Sequence, residues 1–212
     1  MAERYTTVKL SEIEPITVAG GLLWRPVRRT LGIEAFGINA YVAPSAGDEV
    51  VEAHTESTLG HEEVYVVLAG RATFTLDGEE LDAPAGTVVF VRDPEVRRHA
   101  RAEEPGTSVL AVGGKPGAPY TPSAWEWYFA AERHRPTGDF DAMVDELAGA
   151  LDRFPDHAGV LYNLACAEVL AGREDDAISH LSRALELSPE MRSWAQEDED
   201  FTSIRALPGF PA

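Results

Sequence analysis

Residues 54–70, HTESTLGHEEVYVVLAG, bring four groups able to do chemistry into one short stretch. His54, Glu56, His61 and Glu63 stand at the head of an apolar strand, Val64 to Leu68, that closes on Gly70. Neutral imidazole and carboxylate suit divalent transition ions, and the same groups can hold a polar organic ligand. Either would sit where a small β-barrel opens. Other chemistries lack their residues: the chain has no Gly-rich phosphate loop, no paired-cysteine zinc spacing and no nucleophile-elbow serine. GGKPG at 113–117 reads as a linker, because no helix opening on Ser or Thr follows its lysine.

Strands must position these groups, and residues 1–117 read as strands. Residues 21–28 and 32–42 are rich in aromatic and β-branched side chains, with a polar turn at Arg28–Thr30 between them. Further strands are predicted over 50–54, 63–68, 71–76, 79–82, 87–91 and 107–112. In 71–76, Ala72, Phe74 and Leu76 alternate with Thr73 and Thr75, the period of a half-buried strand. Asp77-Gly78 suits a tight hairpin. The apolar run 87–91 suits a strand covered on both faces. Short strands with Gly/Pro turns and no helical pattern between them predict an antiparallel sandwich or barrel.

After Pro122 the period becomes helical. Helices are predicted over 123–132, with Ser123 as a cap, and over 139–154, 158–171 and 173–187, the last stopped by Pro189. Gly138 and Gly172 lie 34 residues apart, as do Pro155 and Pro189, and Leu147 matches Leu181 at the same period. Paired helices at that period are the signature of a tetratricopeptide array, and residues 161–189 resemble one such repeat. The first unit is looser, with Trp127 at the aromatic position and Met143 where a small residue is usual. Two repeats need a further surface to cover them, supplied by the barrel, a second copy or the tail. Phe201, Ile204 and Leu207 of the tail are candidates for that role.

Residues 50–112 resemble the cupin superfamily. Glu63 and Gly70 stand at the spacing of the family's first motif, and DGEELDAPAGTVVFV resembles the hairpin leading into its second. The resemblance implies a double-stranded β-helix barrel of the jelly-roll kind. It also implies a site in which two His and a Glu from the first motif and a His from the second hold Fe, Mn, Zn or Ni. This chain departs from that set. Glu56 replaces the second His of His54-Thr55-Glu56, and Arg97 falls at the second-motif His, with His99 two residues on.

Three arrangements follow. In one, His54, Glu56 or His61, Glu63 and His99 hold a single divalent metal. In another no metal is bound, and Arg97 faces Glu63 and takes an organic anion. In the third these groups lie at a wet loop and the barrel is structural. Tyr65 shares the parity of Glu63 and is a candidate to orient a ligand. A surface position is the plainer reading for His61, which lies in a GHEE turn.

Composition bounds the partners. The net charge of −18 repels phosphate backbones and argues against nucleic acid. Residues 1–120 carry 18 acidic and 11 basic groups, a balance of −7, and residues 121–212 carry 18 and 7, a balance of −11. No apolar run is long enough to span a membrane. The charged N-terminus and the single cysteine, Cys166, fit a cytoplasmic protein. The sequence therefore predicts a cupin-like barrel over 1–117, two tetratricopeptide-like repeats over 118–190 and a capping tail over 191–212. The expected function is small-molecule binding in the barrel, of a polar or anionic ligand, by a homodimer. The alternative is a non-enzymatic dimeric scaffold whose repeat groove receives a protein partner.

Overall fold

The computed structural model describes residues 6–211 and divides into two compact units, with the break between Ser123 and Ala124 rather than at 117/118. The first unit contains β1 (Ile16–Thr17), β2 (Leu23–Arg25), β3 (Gly37–Val42), β4 (Glu49–His54), β5 (Glu62–Ala69), β6 (Arg71–Leu76), β7 (Glu79–Pro84), β8 (Val88–Val91), β9 (Arg98–Ala102) and β10 (Ser108–Gly114). They form two antiparallel sheets, β1-β2-β3-β10-β5-β8 and β4-β9-β6-β7. Val50 and Val51 of β4, Phe74 of β6 and Ala100 of β9 share one core with Tyr65 and Val67 of β5 and Val109 of β10. The sheets therefore face each other across a common apolar layer, as in a sandwich of two antiparallel sheets.

Three expectations about this unit need correction. Residues 27–31 form a short helix, α1 (Val27–Leu31), instead of strand and turn. Pro26 cannot donate to a strand ladder, and Gly32, at φ 65°, takes the left-handed position that ends the helix. The strand at 87–91 is covered on one face only. Val89 and Val91 are buried in the core between the sheets while Val88 and Phe90 point to the opposite, exposed face. β9 carries no strand signal in its sequence. Its sequence, RHARA, places only small alanines and one arginine inward and so shows no apolar alternation.

Gly70 earns its place between β5 and β6 by geometry. Its φ is +71°, and a Cβ there would collide with Thr107 Oγ1. Thr107 is fully buried and its hydroxyl donates to Glu104 O at 2.7 Å, so it cannot retreat.

The second unit holds α2 (Trp125–Ala131), α3 (Phe140–Leu151), α4 (Ala158–Leu170), α5 (Glu174–Leu187) and α6 (Met191–Glu197). Ser123 does not cap α2; Ala124 holds that position and offers no side-chain bond. Asp139 caps α3 by accepting from Ala142 N at 3.2 Å. Gly138 and Gly172 both take left-handed φ, at 68° and 76°, just ahead of α3 and α5. Fully buried Phe201 and Ile204 from the tail join Leu161 of α4 and Leu181 and Leu185 of α5 in one core. Among the described residues no helix is long and apolar enough to cross a membrane.

Candidate metal and ligand site

β4 ends at His54 in one sheet and β5 begins at Glu62 in the other, so the turn between them carries the chain around one end of the sandwich. Glu56 is fixed within that turn by its own N–H, which donates to Pro94 O at 2.9 Å. Glu63 lies on the inward face of β5, opposite Val91 of β8 and Gly113 of β10. Gly113 is where the site needs a missing side chain, since a Cβ there would stand 3.0 Å from Glu63 Cγ. Tyr65, two residues on and facing the same way, donates its hydroxyl to Glu63 Oε2 at 2.5 Å.

Ligand atoms of His54, Glu56 and Glu63 all lie within 4.8 Å of one another. His54 Nε2 stands 3.6 Å from Glu63 Oε2 and 3.8 Å from Glu56 Oε1. The other ring nitrogen, Nδ1, is 2.7 Å from Glu52 O. A carbonyl only accepts, so Nδ1 carries a proton, and Nε2 is left facing the two carboxylates, where it either donates to them or turns a lone pair to a bound cation. A backbone carbonyl that orients the imidazole in this way is what metal-binding histidines use. Two carboxylates and an imidazole nitrogen meeting at one point need a proton or a cation between them. Glu56 Oε2 is also buried without a hydrogen-bond partner. The donor set fits a divalent transition ion held by one imidazole and two carboxylates.

The ionisation of the pair follows from its surroundings. Burial pulls His54 down, but its contact with Glu63, its bond to the Glu52 carbonyl and the charge of Glu56 outweigh this, and its pKa is raised. Burial pushes Glu63 up, but His54, Tyr65 and Arg98 outweigh it, and its pKa is lowered. Burial and then the Glu63 carboxylate hold Tyr65 well above the ordinary phenol range, so it remains a donor.

The remaining candidates fall elsewhere. His61 is buried rather than at the surface. Its Nδ1 stands 3.2 Å from Glu56 Oε2, off the hydrogen-bond line, and its ring stacks on Tyr120 at 5.5 Å between centroids. It backs Glu56 and is outside the three-donor group. His99 points outward from β9 and pairs with Glu49 at 3.0 Å. Arg97 is exposed, and its backbone N–H binds Asp77 Oδ1 at 2.8 Å. Neither reaches the cluster. The cation that does is Arg98, fully buried, with Nε 3.7 Å from Glu63 Oε2. Motif counting landed one residue short, and a one-residue step flips a strand's faces. The alternation of Arg98, Ala100 and Ala102 with His99 and Arg101 was the available signal, with small residues standing in for large apolar ones.

A second group, Cys166, Asp198 and Asp200, also gathers donor atoms, but its charges are already committed. Arg135 donates to both oxygens of Asp200 at 3.0 and 3.2 Å, and Tyr162 donates to Asp198 at 3.0 Å. Burial, then the nearby Asp198, pushes the Cys166 thiol well up and keeps it protonated. The cluster clamps the tail onto the helices.

No known family pattern matches the chain, and no curated protein matches it. Several solved structures similar to it are described as cupins. A cupin protein from Bacteroides fragilis is 18% identical, covers 57% of this chain and 92% of its own, and has a TM-score of 0.43. A predicted oxalate decarboxylase from Thermotoga maritima is 22% identical over 52% of this chain and 99% of its own, TM-score 0.43. A sugar phosphate isomerase from a cupin superfamily, from Silicibacter pomeroyi, is 16% identical over 56% of this chain and 83% of its own, TM-score 0.43.

Proposed function

We propose that the β-unit is a cupin-type barrel that binds a small molecule at one divalent transition metal held by His54, Glu56 and Glu63. The observation that carries this reading is the convergence of those three donors within 4.8 Å, with the proton of His54 committed to Glu52 on the far side of the ring. When bound, the ion would act as a Lewis acid on a ligand oxygen. The chain's own residues do the rest. His61 braces Glu56, Tyr65 holds Glu63 through its hydroxyl, and Arg98 closes the back of the site. Elemental analysis of protein purified without chelators should find about one equivalent of Fe, Mn, Zn or Ni. The His54→Ala and Glu56→Gln variants should lose most of it, since each removes one of three ligands. Substoichiometric metal that His54→Ala leaves unchanged would sink the metal reading.

A second reading, the dimeric scaffold, is favoured by two other observations. The helical unit has a cavity of about 650 Å³ lined by Tyr128, His157, Tyr162, Asn163, Leu187 and Trp194, with Trp194 57% exposed. Residues 121–212 carry a balance of −11, so the occupant that fits is a basic peptide with apolar side chains. Peptides selected on the full chain should be basic and should lose binding on Trp194→Asp; acidic selections would refute the groove. The dimer would form through β8. The edge strand β7 carries Glu79, Glu80, Asp82 and Pro84, and β4 carries Glu49 and Glu52, which protect them from pairing. β8 has neither charge nor proline and exposes Val88 and Phe90, so a second copy of the same edge is its fitting partner. Light scattering should show a dimer for the wild type and a monomer for Phe90→Lys.

A further inference from the structure

Arg98 is the least satisfied charge in the β-unit's interior among the described residues. It is fully buried, and neither Nε nor Nη1 has a hydrogen-bond partner. Its Nη2 makes a long bond to Asp93 O at 3.3 Å. A guanidinium has five N–H donors, and one buried with so few acceptors is strongly destabilising unless its charge is answered nearby. Glu63, at 3.7 Å, supplies that answer. Yet Glu63 also faces His54 and accepts from Tyr65, so one carboxylate serves three neighbours.

The balance of charge decides what the pocket can receive. Of the guanidinium and carboxylates gathered here, Arg98 against Glu56 and Glu63 leaves one negative charge in excess. Adding a divalent ion turns that excess into one positive charge, enclosed by Tyr65 and the apolar layer behind it. Two cationic centres then share Glu63, and the pocket lacks one negative charge. We infer that the metal-loaded site takes a small organic anion with one carboxylate, or an equivalent single charge, and that Arg98 supplies the field that selects it over a neutral ligand. This rests on the metal reading above and names the ligand class for the same site. The ligand approaches on the side of His54, whose side chain is 35% exposed, while Arg98 forms the closed wall. Nε and Nη1 are covered by packed atoms, so the guanidinium acts through space rather than through a new hydrogen bond. A full charge acting over several ångströms in a partly buried site changes anion affinity by about 10- to 100-fold.

The test uses the full chain loaded with Co(II), whose visible absorption reports both metal binding and a change of ligand, titrated with acetate and with neutral acetamide. Wild-type protein should bind acetate at least ~10-fold more tightly than acetamide. Arg98→Lys should keep that preference within about threefold. Arg98→Met and Arg98→Gln, whichever folds by circular dichroism, should lose at least ~10-fold in acetate affinity with acetamide unchanged. A cobalt spectrum that acetate does not move, or equal acetate affinity in the neutral variants, overturns the inference and leaves the metal site standing. If both neutral variants fail to fold, an acetate-to-acetamide ratio near one in wild type overturns it as well. Failure of cobalt to bind at all overturns the metal reading, and this inference falls with it.

Discussion

His180 on α5 and Glu168 on α4 join two helices of the second unit through one titratable contact. Nδ1 of His180 stands 2.8 and 3.0 Å from the two Glu168 oxygens, and Glu168 is 4% exposed. The hydrogen bond to Glu168 raises the histidine's pKa against the opposing effect of burial, and the charges of Glu168 and Asp176 add to it. Arg173, which feels the field of Glu168, is the other charged group near the pair. A histidine whose folded pKa lies above its unfolded value of about 6.5 stabilises the fold fully below that value. The stabilisation is lost as pH rises through the higher, folded value. A hydrogen bond to a charged group contributes about 1.5–3 kcal/mol, and partial exposure of the imidazole brings the expectation down to about 1–2 kcal/mol. His180→Ala should therefore lower the melting temperature of the helical unit near pH 6, by roughly 4–8 °C for each kcal/mol. The gap between wild type and variant should narrow steadily toward about pH 8.5, where the histidine is neutral and donates a weaker bond. Thermal melts followed by circular dichroism at the helix band would measure this across that range. A gap that stays constant with pH, or widens as pH rises, would refute the assignment of the pair as charged.

Two further outcomes test the β-unit. Phe74→Ala empties a fully buried position packed 5.6 Å from the Tyr65 ring, and urea unfolding should show a loss of about 3–5 kcal/mol. Gly70→Ala forces an L-residue into φ +71° and a Cβ onto Thr107; it should cost at least about 1–2 kcal/mol by the same measurement.

Much of the architecture was legible because it depends on local periodicity. The alternation in residues 71–76, the Asp77-Gly78 turn and the spacing from Glu63 to Gly70 each reflect a constraint acting over a few residues. The helices of the second unit showed for the same reason, through apolar positions at helical spacing and glycines at the turns. What escaped were elements that local pattern does not favour. α1 depends on Pro26 ending a strand, and β9 is held by its neighbours β4 and β6 rather than by its own composition.

For the candidate site, the sequence by itself determined which residues are chemically able and the inward parity of Glu63 and Tyr65, because a strand alternates faces over two residues. It did not determine which of them meet. That Glu56 joins His54 and Glu63 depends on a backbone bond to Pro94, 38 residues away. That Arg98 rather than Arg97 lies beside Glu63 depends on the register in which β9 pairs with β4 and β6. His61 is withdrawn from the surface by stacking on Tyr120, and His99 is turned outward onto Glu49. These contacts join residues far apart in the chain, so their energies appear only once both sheets have closed over a common core.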